Sequence, residues 1–256
     1  MNRIVELFQK QPERNLNVYF TAGFPNLADT RLILRVLQEA GADLVEIGMP
    51  YSDPVADGET IQDSNQQALA AGMSVKLLFE QLRGMRPAIK LPVLLMGYIN
   101  PVMQFGIENF CKSCQEVGID GLILPDMPFD VYVEDYKAIF DRYGLLNIFL
   151  ITPQTSEARI RQIDERSDGF IYMVSSASVT GSQTGVTHDM EAYFARVNAM
   201  PLRNPRLIGF GIKDRATFNQ ACQHASGAII GSAFIRVLAE SQDLEKDITS
   251  FVQNIK

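Results

Sequence analysis

Residues 93–124 read VLLMGYINPVMQFGIENFCKSCQEVGIDGLIL. Two short apolar runs, Val93–Gly97 and Gly121–Leu124, flank a helical stretch that stops where Gly118 stands, the usual place of a helix-terminating glycine. Both runs are apolar throughout, as strands covered on both faces are. Working outward, the runs Val18–Thr21 and Leu44–Ile47 precede this unit, and Ile148–Ile151, Phe170–Val174, Leu207–Gly209 and Ala228–Ile230 follow it. Helical patterns lie between them. Leu32, Ile33, Val36 and Leu37 trace one apolar stripe, Val131, Tyr132, Tyr136, Ile139 and Phe140 another, and Gly41 and Gly144 sit at their ends. A further helix is expected around Ile4–Phe8. Strict alternation implies parallel strands joined by right-handed crossovers. A closed barrel and an open doubly wound sheet both satisfy that rule. About eight units in 256 residues, and no G-x-G-x-x-G after the first strand, favour the barrel. The expected fold is therefore α/β, a single (β/α)8 TIM-barrel domain over residues 1–256 with an extra N-terminal helix.

Composition narrows the function classes. Hydrophobic residues are 46% and charged residues 21% of the chain, ordinary for a folded enzyme. A net charge of −7 argues against binding nucleic acid or anionic membrane through bulk electrostatics. No run reaches the roughly 18 apolar residues of a membrane span. MNRIVELFQKQPERN lacks the apolar core of a secretory signal, so a cytoplasmic location is expected. Three cysteines are too few and odd in number for a disulfide framework. Cys111-Lys112-Ser113-Cys114 is formally C-x-x-C, but it falls in a helical stretch without a second pair. It reads as two small side chains on a helix rather than a redox or zinc site.

In a barrel, function collects just past the C-terminal ends of the strands. The second strand and its loop read LVEIGMPYSDPVADG over residues 44–58. Period-two alternation puts Leu44 and Glu46 on one face and Val45 and Ile47 on the other. A carboxylate inside an apolar strand must be paired, protonated or used. Catalysis by Glu46 with a raised pKa, and a structural salt bridge to an Arg of a neighbouring strand, are both consistent with its position. Asp53 and Asp57 follow among Pro50, Pro54 and Gly58. They are turn-capping acids, or, beside a strand Glu, the second half of an acid–base pair.

The last strands end in Gly209-Phe210-Gly211 and Gly231-Ser232, and Gly181 follows the sixth. These are turn glycines, or a cradle where backbone N–H groups and a helix start meet a phosphate. Other chemistries fit poorly. None of the eight strand runs contains the Lys a Schiff base needs, and two separated His, His188 and His224, are a poor start for a zinc site. No Ser–His–Asp arrangement or P-loop is evident. What remains is cofactor-free proton transfer by carboxylates on a small phosphate ester.

The string VEIGMPYSDPVADGETIQ, with Tyr19-Phe20-Thr21-Ala22-Gly23, Pro125-Asp126-Met127-Pro128 and Gly231-Ser232-Ala233, closely resembles the tryptophan synthase α chain family over nearly the whole length. The resemblance implies a lyase of tryptophan biosynthesis that cleaves indole-3-glycerol phosphate to indole and D-glyceraldehyde 3-phosphate by retro-aldol chemistry. It implies no cofactor on this chain, and a pyridoxal-phosphate-dependent β chain as partner in an αββα heterotetramer. Glu46 and Asp57 match the family's catalytic carboxylates. Tyr172 matches the tyrosine that helps orient them, Thr180 a substrate-binding position, and Gly181, Gly211, Gly231 and Ser232 the phosphate site. Leu95 and Phe210 match positions lining the indole pocket.

The chain departs from the family pattern in the two loops that the resemblance implies close over substrate, 51–60 and 178–188. Glu59 stands where many relatives have Pro, Ser178 where Gly is frequent, and Ser182-Gln183-Thr184-Gly185 lacks the Arg or Ala often seen there. Two other functions compete with the lyase. One is a catalytically weak barrel that mainly binds and activates the β chain, against which the presence of both Glu46 and Asp57 speaks. The other is a further phosphate-binding barrel such as a sugar-phosphate isomerase, against which the long 46–62 match speaks.

Overall fold

The computed structural model describes residues 1–174, 188–209 and 211–256. Nine parallel strands form one sheet: β1 (Asn15–Thr21), β2 (Leu44–Gly48), β3 (Val93–Met96), β4 (Gly121–Ile123), β5 (Leu146–Ile148), β6 (Leu150–Ile151), β7 (Ile171–Val174), β8 (Arg206–Gly209) and β9 (Gly227–Ile230). The hydrogen-bonded order is β5-β4-β3-β2-β1-β9-β8-β7-β6. Its two edges, β5 and β6, are consecutive in sequence and separated only by Phe149, so the sheet curls round on itself as a barrel.

The strand expected over Ile148–Ile151 is thus two. Leu146–Ile148 pairs with β4, and Leu150–Ile151 pairs with β7. The Phe149 carbonyl at the break accepts the Tyr172 N–H at 3.0 Å, while its ring packs outward against Phe129 and Tyr132. Together the two pieces make one stave, which preserves the eightfold plan. The stripe through Val131 is also revised. The backbone over Tyr132–Tyr136 makes a π-helical turn, which slips the 3.6-residue phase. Tyr132 and Phe140 are buried, whereas Val131 stays exposed.

Alternation sorts the side chains into two layers. Leu16, Val18 and Phe20 of β1, Val45 and Ile47 of β2, and Val93 and Leu95 of β3 lie in the large core between barrel and helices. Leu44, Leu94, Ile123, Ile148, Leu207 and Ile229 fill the barrel itself. The expected N-terminal helix spans Arg3–Lys10 and sends Ile4 and Phe8 into that inner core. It is held by Asp120, which precedes β4 and pairs with Arg3 at 2.8 Å and Arg86 at 2.6 Å. The Asn2 amide donates to the Asp120 carbonyl at 2.7 Å. These contacts stopper the end of the barrel where the strands begin, and the site belongs at the opposite end.

Candidate active site

Glu46 projects from β2 into the barrel and is fully buried. Register sets it beside Tyr19 of β1 on one side and Leu94 of β3 on the other. Its Oε1 accepts a hydrogen bond from Asn17 Nδ2, and its Oε2 has no partner among the described residues. No Arg or Lys among the described residues pairs with it, so the salt-bridge alternative does not hold. Burial without a cation pushes its carboxyl up to about 8, with the Asn17 hydrogen bond pulling weakly the other way. The group is a proton-bearing acid at neutral pH.

Asp57 approaches from the loop between β2 and the helix Glu59–Ala70. Tyr98, just past β3, donates its hydroxyl to Asp57 Oδ2 at 3.2 Å and accepts the Ala56 N–H at 2.9 Å. The Gln62 side chain donates to the Asp57 carbonyl at 2.8 Å, tying the loop to the helix that follows. Burial raises the Asp57 carboxyl to about 6, opposed by the Tyr98 hydrogen bond. At neutral pH it is mostly ionised. Two carboxyls with differently raised pKa values therefore share one mouth, the arrangement that separates an acid from a base. Asp53 bonds only locally, accepting from the Ser52 hydroxyl at 2.5 Å, as a turn acid does.

Two tyrosines lie near both groups. Burial first, and then the neighbouring carboxyls, raise the hydroxyls of both Tyr19 and Tyr172 above the ordinary range. Their hydroxyls occupy the space where side chains of Gly48 and Gly209 would begin, so glycine is needed at both strand ends. Beyond the barrel strands, Gly211 is exposed with φ +76°, a conformation that favours glycine. Gly231 is the N-cap of the helix Ser232–Glu240, whose first-turn N–H groups have no side-chain cap among the described residues.

Thr180, Gly181, Phe210 and Ser178 lie outside the described residues, as does nearly all of the loop 178–188. Leu95 requires correction. It belongs to the outer layer with Val45 and Ile47, because alternation along β3 sends Leu94 and Met96 toward the barrel core instead. Glu59 is the first residue of its helix, exposed, with Gly58 as extended N-cap. That position suits Pro, whose missing N–H is not needed there, and equally suits an acid facing the positive helix end. Sequence reasoning missed Asn17, Tyr98 and Met96. The signal for Asn17 was present: Asn15, Asn17, Tyr19 and Thr21 alternate with Leu16, Val18 and Phe20, marking a polar inward face.

Cys111 and Cys114 are both buried on the helix Ile107–Val117, and burial pushes the Cys111 thiol up to about 12. Among the described residues no group of three or more His, Cys, Asp or Glu could hold a metal ion, and no helix is long and apolar enough to cross a membrane.

Comparison with known proteins agrees with this geometry. The tryptophan synthase alpha chain from Legionella pneumophila superposes with a TM-score of 0.89 at 30% identity, covering 100% of this chain and 96% of that one. Tryptophan synthase from Mycobacterium tuberculosis, in an aminoacrylate-bound form, superposes with a TM-score of 0.86 at 27% identity, covering 100% and 98%. A family model described as tryptophan synthase alpha chain matches residues 6–256. The tryptophan synthase alpha chain of Flavobacterium johnsoniae is 58% identical over 241 residues, 94% of this chain and 95% of that one. That of Flavobacterium psychrophilum is 55% identical over 255 residues, covering 100% of both.

Fold and site thus define a (β/α)8-barrel lyase. More particularly, the chain belongs to the tryptophan synthase alpha chain family. It catalyses the α reaction of tryptophan biosynthesis, the cleavage of indole-3-glycerol phosphate to indole and glyceraldehyde 3-phosphate. Membership implies a β-chain partner.

Proposed function

We propose that residues 1–256 act as a single barrel domain in which Glu46 and Asp57 divide the proton transfers of the α reaction. The observation that carries this reading is the pair of unlike carboxyls: Glu46 raised to about 8, and Asp57 raised only to about 6. Indole leaves poorly as a C3 carbanion, so C3 must first be protonated. Glu46, uncharged at neutral pH, gives its proton to C3, and the positive charge that builds on the ring nitrogen is met by the Asp57 carboxylate. Glu46, now ionised, takes the proton from the substrate hydroxyl as the carbon–carbon bond breaks. The hydroxyl carbon becomes the aldehyde, the bonding electrons return to the ring, and Glu46 is again protonated.

The remaining assignments follow the same reading. Tyr172 orients the reacting groups. Gly211, Gly231 and Ser232, with Thr180 and Gly181, receive the phosphate. Met96, in place of Leu95, lines the indole side with Phe210. The chain itself uses no cofactor, and its partner in an αββα heterotetramer is the pyridoxal-phosphate-bearing β chain. A cytoplasmic location fits this biosynthetic role.

The test is indole release from indole-3-glycerol phosphate. The chain contains no Trp, so indole fluorescence stands against a weak Tyr background. Glu46→Gln and Asp57→Asn are each expected to lose turnover by about a hundredfold or more while remaining folded. The wild-type rate should rise when a β chain is added. Retained turnover in both variants overturns the assignment. No indole from the folded wild type, with or without partner, supports the weak-catalyst alternative.

A further inference from the structure

Asn17 plays no part in the proton transfers above, yet it makes the one hydrogen bond Glu46 has among the described residues. Both side chains are fully buried, so water is a poor substitute for either partner. Asn17 lies on β1 at the register position paired with Leu44, one inward step from the Tyr19–Glu46 pair, and reaches Oε1 sideways across the strand gap. The pair is only half satisfied. Among the described residues, Glu46 Oε2 and Asn17 Oδ1 both lack partners. A buried polar atom left unpaired is destabilising and calls for a reason.

We infer that Asn17 is a positioning residue for the α reaction: it engages Glu46 Oε1, holds the carboxyl in one rotation, and leaves Oε2 as the oxygen that carries the proton to and from substrate. This rests on the catalytic reading of Glu46 given above. A carboxyl anchored through one oxygen keeps its reactive oxygen in place through both halves of the reaction. Without the anchor the group turns about its last bond, and misplacement on the scale of 1 Å is worth about a hundredfold in rate. The anchor also has an electrostatic effect. An N–H donor favours the ionised carboxyl, which Glu46 must become before it can accept the hydroxyl proton. The other groups facing Glu46 act in the opposite sense or are neutral. Asp57 from the loop after β2 is negative when ionised. Tyr19 from β1 and Tyr172 from β7 are held as uncharged phenols, and Leu94 on β3 is apolar.

Asn17→Leu tests this, being close in shape and lacking the donor. The change also removes the unpaired Oδ1, so the protein is expected to remain folded and about as stable. Expected are a kcat lower by about tenfold to a hundredfold with KM within about threefold of wild type. The alkaline limb of the pH–rate profile should move to higher pH, because the ionised Glu46 has lost its donor. In infrared difference spectra the carboxylic C=O band that disappears in Glu46→Gln should shift upward in Asn17→Leu, since its oxygen no longer accepts a hydrogen bond. Asn17→Ala, which removes the donor without adding a titratable group, serves as second variant, with the same directions expected for kcat and the limb. Wild-type kcat and limb position in either folded variant overturn the inference. If that occurs while Glu46→Gln is inactive, the catalytic reading stands and only the positioning role falls. Turnover retained by Glu46→Gln overturns both.

Discussion

Glu46 holds a proton that an ordinary glutamate would have lost, and this has consequences for both activity and stability. With Asp57 ionising near 6 and Glu46 near 8, kcat/KM for indole-3-glycerol phosphate is expected to be bell-shaped. It should rise through about pH 6 and fall through about pH 8. A profile flat from 5 to 9 would contradict the division of roles. For stability the sign follows from proton uptake. Between the unfolded value of about 4.3 and the folded value near 8, the native state holds a proton that the unfolded state does not. The contribution of Glu46 is therefore fully present below about pH 4 and is lost as pH rises through the folded pKa. Glu46→Gln lacks this dependence, so its urea midpoint relative to wild type is expected to climb steadily from pH 5 to 8.5. Parallel curves would show that the buried carboxyl is not raised. The choice between ion pair and acid at this residue was beyond strand periodicity, because it depended on which neighbours β1 and β3 bring alongside.

At the scale of elements, the site is made by strand ends and the loops leaving them. The loop from Met49 to Gly58 is pinned by Tyr98, which comes from a different strand, and by Gln62 of the following helix. Both carboxyls proposed as catalytic and the glycine loops were legible in sequence, since an acid in an apolar strand and glycines after strands are local patterns. The exchange of Leu95 for Met96 shows where such patterns fail. A shift of one residue along a strand moves a side chain from one face to the other, and β3 is apolar at every position, so hydropathy does not mark its inner face. In β1 the apolar run begins at Val18, which leaves Asn15 and Asn17 outside it although the strand spans Asn15–Thr21. The phosphate side is tested at its exposed glycine. Gly211→Asp puts a negative charge and a side chain at a φ of +76°, beside the proposed phosphate position. It is expected to raise KM for indole-3-glycerol phosphate by about tenfold or more, with the thermal midpoint little changed. An unchanged KM would remove Gly211 from the phosphate site.

For the molecule as a whole, the barrel has one stoppered end and one reactive end. Ile4 is fully buried in the inner core, and Gly169 sits so close to Ile4, Leu146 and Ile148 that a Cβ there would press against all three. Ile4→Ala is expected to cost about 2–5 kcal/mol of unfolding free energy, read by urea denaturation, because the rigid barrel wall cannot collapse into the space. Its effect on KM should be small, as the stopper is at the far end from the carboxyls. A loss below about 0.5 kcal/mol would mean the helix is not part of the cooperative core.

By itself the sequence determined the eightfold alternation, the N-terminal helix, the parallel barrel and the two acids that the family resemblance marks as catalytic. These are encoded by periodicity and by short motifs, which act over a few residues. The tertiary structure alone decided that Glu46 is unpaired by any cation among the described residues and anchored by Asn17. It also decided that Tyr98 holds Asp57, that Met96 rather than Leu95 faces inward, and that the fifth stave is broken at Phe149. Each of these depends on the register between strands distant in sequence. Register is set by how the closed sheet packs as a whole, and no local stretch of the chain contains it.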